Sequence, residues 1–473
     1  MNGNLKKPIK KQREVLYMPA KGHCVVLGTA GSGKTTLALY RAAYLSEPSM
    51  PHGGKTLLLT YNNALVAYLK FLKPRELRNV QVETYHKFAR GYLHARGKMS
   101  HNCICNPDER EELIMQAVKT VEKERNPPKK INRTIDFFMD EIQWIFNNGI
   151  ESCEKYVKAE RKGRIGTRLS QKSRPEMYKI LEKYLKLRNE IGKKYDWDDL
   201  AFYVRKEFEN DDSHRKYRHI IIDEGQDFSP EMIRSLAAAI QKDGSLSFFG
   251  DVAQQIYGQR ISWRSSGLNI DKKVWKFKEN YRNTKQITQL GLAISKNFFN
   301  DIQDLVQPIS HRADGSPPTL TKCRNETQQV EIALKVAGEE SKTQSVAILV
   351  KNRILEKRFS SKLGNGATRL DRDLPIWNNR HGIYYGTYHS AKGLEFDMVI
   401  LPFLDSENLP DKDHLAAHGE EDAKTYNARL LYVAATRAKA DLFLLYSKKL
   451  TRLLPRDKNL YQMVGYEPDS DGM

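Results

Sequence analysis

The sequence predicts an α/β protein with two parallel-sheet domains, and three observations carry that prediction. Short apolar runs recur along the chain: CVVL (24–27), LLL (57–59), III (220–222), LSFF (246–249), VAILV (346–350), MVIL (398–401) and LFLL (442–445). Continuous runs of this length fit strands covered by helices on both faces of a parallel sheet. The runs also form two groups, and long helical patterns such as 109–121 and 175–191 interrupt the first of them. Length agrees, because 473 residues exceed a single domain at roughly 100–200 residues each. The expected organisation is a first α/β domain from 1–89 and 196–274, a helical insertion at 90–195, and a second α/β domain over 275–473.

Composition narrows the function. Lys and Arg total 78 against 58 Asp and Glu, a net charge of +20, which favours a polyanionic partner such as nucleic acid. No apolar run approaches the roughly 18 residues that a membrane-spanning helix needs. The opening MNGNLKKPIKKQRE has no apolar core of the kind a secretory signal carries. Five cysteines at irregular spacing argue against a disulfide framework and for a reducing, cytoplasmic setting. His101, Cys103 and Cys105 have no second ligand pair at zinc-like spacing, so Mg²⁺ is the one metal expected.

The strongest local signal is Gly28-Thr29-Ala30-Gly31-Ser32-Gly33-Lys34-Thr35, which fits GxxxxGK[ST] between an apolar run and a helical pattern. In such a loop the glycines let backbone N–H groups face a phosphate, and the helix N-terminus adds partial positive charge. Lys34 then reaches the β- and γ-phosphate oxygens, and Thr35 offers its hydroxyl to Mg²⁺. The run III (220–222) ends in Asp223 and Glu224. A strand ending in two acids places carboxylates at the carboxyl edge of a sheet, where open α/β sheets bind ligands. Asp223 is the candidate Mg²⁺ holder and Glu224 the group that polarises the attacking water. The segments TYNN (60–63) and GDVAQ (250–254) bring further polar residues to that edge, with the Gln254 amide placed to sense the γ-phosphate or to hold the nucleophilic water.

Taken together, GTAGSGKTT (28–36), TYHKFA (84–89), YDWDDL (195–200), IIIDEGQDFSP (220–230), GDVAQQIYGQR (250–260), ENYRNTKQI (279–287), TYHSAKGLEF (387–396) and LLYVAATRAK (430–439) resemble the UvrD/Rep-like branch of superfamily 1 helicases. The resemblance implies two RecA-like domains closing on ATP, with single-stranded DNA, or the tail of a 3′-tailed duplex, crossing both. It adds Thr36 to the phosphate loop, Gln12 as the glutamine that reads adenine and Tyr281 as the aromatic that stacks on it. Arg282 and Arg437 match two arginines presented to the γ-phosphate, and Glu395 an acid that contacts nucleotide. Tyr61, Asn62, Tyr85, His86, Tyr257, Arg260 and His389 lie in segments that match strand-contacting motifs. The run 161–174, with six basic residues and no acid, is a further candidate for DNA.

The chain departs from the family in three ways. Gln259 stands where relatives usually carry a base-stacking tryptophan, with Trp263 four residues on. Ala64 stands where a lysine is usual. Only about 34 residues separate 352 from 387, where relatives commonly insert a large helical subdomain. The expected activity is ATP-dependent 3′→5′ translocation and unwinding. The alternative is a DNA-activated ATPase serving as sensor for a separate nuclease, since this chain shows no nuclease signature.

Overall fold

A computed structural model describes residues 8, 11–29, 31–60, 63–72, 79–128, 130–161, 169–211, 214–251, 266–270, 274–277, 279–298, 309–310, 314–364, 366–370, 381–410, 415 and 420–465. Six strands, β1 (Gly22–Gly28), β2 (Thr56–Thr60), β3 (Val80–Thr84), β4 (Tyr217–Ile222), β5 (Ile240–Gly250) and β6 (Val274–Phe277), form one sheet in the order β3-β2-β4-β5-β1-β6. All its pairings are parallel. A short parallel pair follows, β7 (Glu279–Asn280) with β8 (Ile309–Ser310). The second sheet takes β9 (Thr319–Lys322), β10 (Ser345–Val350), β11 (Thr368–Arg369), β12 (Gly382–Thr387), β13 (Phe396–Leu401), β14 (Ala438–Tyr446) and β15 (Gln462–Gly465). Its order is β11-β12-β10-β13-β14-β9-β15, again parallel throughout.

The seven apolar runs fall inside β1, β2, β4, β5, β10, β13 and β14. They are continuous because both faces of each sheet are covered. Val25 and Leu27 pack into one core and Cys24 and Val26 into another, and Ile220 and Ile222 separate from Ile221 in the same way. The second sheet repeats the pattern, with Ala347 and Leu349 on one face and Val346, Ile348 and Val350 on the other.

In the first lobe the helices are α1 (Lys11–Leu16), α2 (Lys34–Leu45), α3 (Asn63–Leu72) and α4 (Tyr85–Ala95). The chain then runs through α5 (Pro107–Glu124), α6 (Ile135–Asn147), α7 (Cys153–Lys158) and α8 (Arg174–Glu190) before α9 (Leu200–Glu209) and α10 (Pro230–Ala238) return to the sheet. Helices α5 to α8 hold their own core, with Leu113, Ile114, Phe138, Ile142, Ile145, Tyr156, Ile180 and Tyr184 buried together. Helix α5 starts on a capping box, Asn106 accepting from the Glu109 amide and Glu109 from the Asn106 amide, both at 2.9 Å. The second lobe adds α11 (Lys285–Phe298), α12 (Glu326–Glu340), α13 (Arg353–Ser360) and the helix Glu420–Ala435. Among the described residues no helix is long and apolar enough to cross a membrane. Each of the five cysteines is a free thiol.

The helical stretch is joined to the sheet by buried charge. Arg188 on α8 pairs with Asp196 at 3.2 Å and Asp199 at 2.6 Å, and Arg110 on α5 with Asp196 at 3.5 Å and Asp198 at 2.9 Å. The Tyr184 hydroxyl donates to Asp196 at 2.6 Å. Burial opposes ionisation of Asp196, but the two guanidiniums outweigh it and hold its carboxyl below the usual range. The motif YDWDDL is therefore a structural joint. Replacing Arg188 by Leu leaves two fully buried carboxylates short of their cation, and denaturant unfolding is expected to show a loss of about 3–5 kcal/mol. A change under 1 kcal/mol would remove the joint from the stability of the chain.

Two residues of the 161–174 run are structural as well. Arg161 pairs with the fully buried Glu141, and Arg174 donates to the carbonyls of Tyr156, Val157 and Ala159 at 3.0, 2.7 and 2.6 Å. These two guanidiniums therefore hold the helical core together and are not offered to DNA. Residues 162–168 of the run lie outside the described residues.

Candidate functional site

The glycine-rich loop leaves the carboxyl end of β1 and enters α2. Gly31 and Gly33 hold φ of 75° and 83°, the left-handed region that glycine occupies without steric penalty. Gly31 is also where the two lobes touch. A Cβ there would lie 2.2 Å from the Asn280 Oδ1 and 2.5 Å from the Arg282 Cβ, and the Tyr281 amide donates to the Gly31 carbonyl at 2.9 Å. The Lys34 Nζ is buried and donates to the carbonyls of Gly28 at 3.0 Å and Thr29 at 2.7 Å. Burial lowers its pKa, while Asp251, Glu224 and Asp223 pull it up. Thr35 and Thr36 are half-buried in the first turn of α2. Ala30 lies outside the described residues.

Facing the loop, β4 ends in Asp223, 1% exposed, with neither carboxylate oxygen in a hydrogen bond. Burial and the neighbouring Glu224 push its pKa up to about 7, against the opposing pull of Thr35 and Lys34. The hydroxyls of Thr29 and Ser32 are buried without partners too. Buried polar atoms are nearly always satisfied, so this cluster of orphaned oxygens beside a lysine fits a bound phosphate chain and a hard cation.

Glu224 sits at φ 52°, strained for a residue with a side chain. Gln226 fixes it, donating to the Glu224 carboxylate while its own oxygen accepts from the Asp251 amide at 2.8 Å. That amide ties the ends of β4 and β5 together. Burial raises the Glu224 pKa, but Lys34, Arg437 and Lys392 outweigh it and keep the carboxylate ionised. Two of those three cations come from the second lobe.

The second lobe's contribution is built on a buried asparagine turn. Asn280 Oδ1 accepts from the amides of Arg282 at 2.9 Å and Asn283 at 3.1 Å, and the Asn283 side chain donates to the Thr436 carbonyl at 3.0 Å. This turn aims Tyr281, 37% exposed, and Arg282 at the loop. Arg282 pairs with Glu395. Burial would raise the Glu395 pKa, yet Arg282, Lys439 and Arg437 hold it below the usual carboxylate range. Arg437, 1% exposed, donates from Nε to the Val433 carbonyl at 2.9 Å. Burial and Arg282 press its pKa down to about 10, against Glu224 and Glu395.

Lys392 forms a buried ion pair with Asp227, joining TYHSAKGLEF to the DEGQD segment across the seam. Burial pushes Asp227 up to about 6 even so. Nothing in the sequence pattern announces this pair. Both residues lie inside recognised motifs, but their contact spans 165 positions.

On the first lobe, Gln12 of α1 reaches the loop and donates from Nε2 to the Ser32 carbonyl at 3.2 Å. Gln12, the loop, Asp223, Glu224, Arg282, Glu395 and Arg437 thus share one seam, with Tyr281 at its margin.

The strand-contacting set divides. Tyr85 is 2% exposed, its hydroxyl 2.7 Å from the Ser235 Oγ and its ring edge-on to Phe228, so it packs the core and does not line a track. His86 stays nearer the surface, edge-on to Trp197 at 5.5 Å. His389 lies 3.1 Å from the Tyr426 hydroxyl, and burial lowers its pKa to about 4. Tyr61, Asn62, Gln254, Tyr257, Gln259, Arg260 and Trp263 lie outside the described residues.

A parallel six-stranded sheet ending in a GxxxxGK[ST] loop, faced by a second parallel sheet that brings arginines to the same edge, defines a two-lobed RecA-like α/β protein. Family comparison makes the assignment specific. The model of the UvrD/REP helicase N-terminal domain matches residues 9–275, and that of the UvrD-like helicase C-terminal domain matches residues 372–449. The chain belongs to the UvrD/REP helicase family.

It is similar to a probable DNA helicase II homolog of Mycoplasma capricolum, 23% identical over 72% of this chain and 48% of that one. A probable DNA helicase of Mycoplasma pneumoniae is 23% identical over 89% of this chain and 80% of its own. DNA helicase II of Haemophilus influenzae is 26% identical over 59% of this chain and 38% of its own. Apart from the M. pneumoniae protein, the chain spans about half or less of the length of these relatives.

Proposed function

We propose that the protein is an ATP-dependent 3′→5′ DNA translocase and helicase that hydrolyses ATP between its two lobes. The observation that carries this reading is the seam itself, where Arg282, Lys392 and Arg437 of one lobe meet Glu224 and Asp227 of the other beside the glycine-rich loop.

The backbone of 28–33 holds the phosphates, Lys34 neutralises them, and Thr35 and Asp223 hold Mg²⁺, with Thr36 beside them. When bound, Mg²⁺ neutralises charge on the transferring phosphoryl group. Glu224 orients the attacking water, assisted by Gln254. Arg282 and Arg437 stabilise charge on the γ-phosphate, and Glu395 orients Arg282. Gln12 and Tyr281 hold the base. Because phosphoryl transfer is catalysed mainly by position and charge, cations on a second lobe make hydrolysis depend on closure. DNA lies along a track that includes His86 and His389 and, from the sequence, Tyr61, Asn62, Tyr257 and Arg260.

Strand separation with ATP on 3′-tailed and 5′-tailed duplexes tests the reading. Unwinding of the 3′-tailed substrate alone is the expected result. Unwinding of the 5′-tailed substrate contradicts the polarity, and DNA-stimulated hydrolysis without unwinding of either moves the protein to the nuclease-sensor alternative.

A further inference from the structure

Arg41 lies on the helix that follows the glycine-rich loop and is fully buried. Among the described residues its guanidinium donates neither to the loop nor to the acids of the seam. Instead it gathers the chain just after α1. Nη1 donates to the carbonyls of Leu16 at 2.6 Å and Met18 at 2.7 Å, and Nη2 donates to the Pro19 carbonyl at 2.8 Å. Leu16 is the last residue of α1, the helix that carries Gln12.

A helix of six residues does not hold itself together in water, because nucleation leaves too few hydrogen bonds to offset the ordering of the chain. A cation on its last carbonyl, that of Leu16, acts on the negative end of the helix dipole as well as on an orphaned acceptor. Apolar contact completes the bed, with Val15 and Met18 packed against Leu37, Ala38 and Ala42. The guanidinium also lies 5.8 Å from the centre of the Tyr44 ring, which meets Tyr17 edge-on at 5.4 Å. The planar fork of Arg serves three carbonyls from one fixed position, and the single ammonium of Lys has no equivalent geometry.

We infer that Arg41 is a positioning residue for base selection, acting through α1 to fix the side chain of Gln12 beside the glycine-rich loop. The inference rests on the proposed reading of Gln12 as the group that recognises the base. Base identity is then set by a helix whose anchor lies on α2, the same element that presents Lys34 and Thr35 to the phosphates. One rigid body thus carries the phosphate contacts and supports the base contact.

The test is a set of steady-state measurements on the full chain, with ATP and GTP as alternative substrates, for the parent, Gln12→Ala, Arg41→Lys and the double variant. Gln12→Ala is expected to raise KM for ATP on the order of tenfold, to leave kcat within about twofold, and to erase the preference for ATP over GTP. Arg41→Lys should give the same pattern in weaker form, and in the double variant it should add less than about twofold to the effect of Gln12→Ala. An unchanged nucleotide preference in Gln12→Ala defeats the reading of Gln12 itself. Lost preference in Gln12→Ala with full preference in Arg41→Lys, or full additivity in the double variant, overturns the role of Arg41. If Arg41→Lys does not fold, Val15→Ala loosens the same helix without touching the guanidinium and is expected to reduce ATP preference. Full preference in that variant overturns the inference equally.

Discussion

Arg437→Ala is expected to bind ATP within a few-fold of the parent and to lose turnover by about 10³ or more. The arginine is held by its own lobe, through Nε on the Val433 carbonyl, while its charge acts across the seam on Glu224 and, within its own lobe, on Glu395. It therefore contributes little to holding the ground-state nucleotide on the first lobe and much to the charge that develops during transfer. Arg282 differs because Glu395 already engages it, so its removal also leaves a half-buried acid without that partner. Nucleotide affinity by fluorescence and turnover by phosphate release separate the two roles. Retained turnover in Arg437→Ala would remove it from the catalytic set.

The second large effect is Glu224→Gln, expected to lower turnover by about 10²–10⁴ while ATP and Mg²⁺ still bind. The substitution keeps the shape of the side chain, and so the strained φ of 52° and the neighbouring amide of Gln226 remain compatible with it. What disappears is the charged acceptor that Lys34, Arg437 and Lys392 keep ionised. Lys34→Ala, by contrast, should lose nucleotide affinity and turnover together. Turnover in Glu224→Gln within threefold of the parent would place the water-activating group elsewhere.

Much of the fold was legible because burial on both faces of a parallel sheet writes continuous apolar runs into the sequence. Strands with one covered face escaped that signal. β3, at an edge, alternates buried and more open positions. β12 escaped for a different reason, since Tyr384 packs on one face and Ile383 and Tyr385 on the other, but its run GIYYGT is broken by glycines and carried by tyrosines. The phosphate loop and DE pair were equally legible, since their chemistry depends on residues adjacent in sequence. Tyr85 was not, because membership of a motif does not give the phase of a helix. Thr84 caps α4, and the first helical residue turns inward onto Phe228. Arg161 and Arg174 read as part of a basic run open to DNA because Glu141 and the carbonyls at the end of α7 lie outside the pattern that flagged them. The Lys392–Asp227 pair was hidden for the same reason.

If the seam between the lobes is where ATP is hydrolysed, hydrolysis responds to a bound strand. The most direct measurement is the steady-state ATPase rate of the full chain with and without saturating single-stranded DNA, at fixed Mg²⁺. A rise in kcat on adding DNA, lost in Arg437→Ala, is the expected result. Equal turnover in the presence and absence of the strand would contradict it.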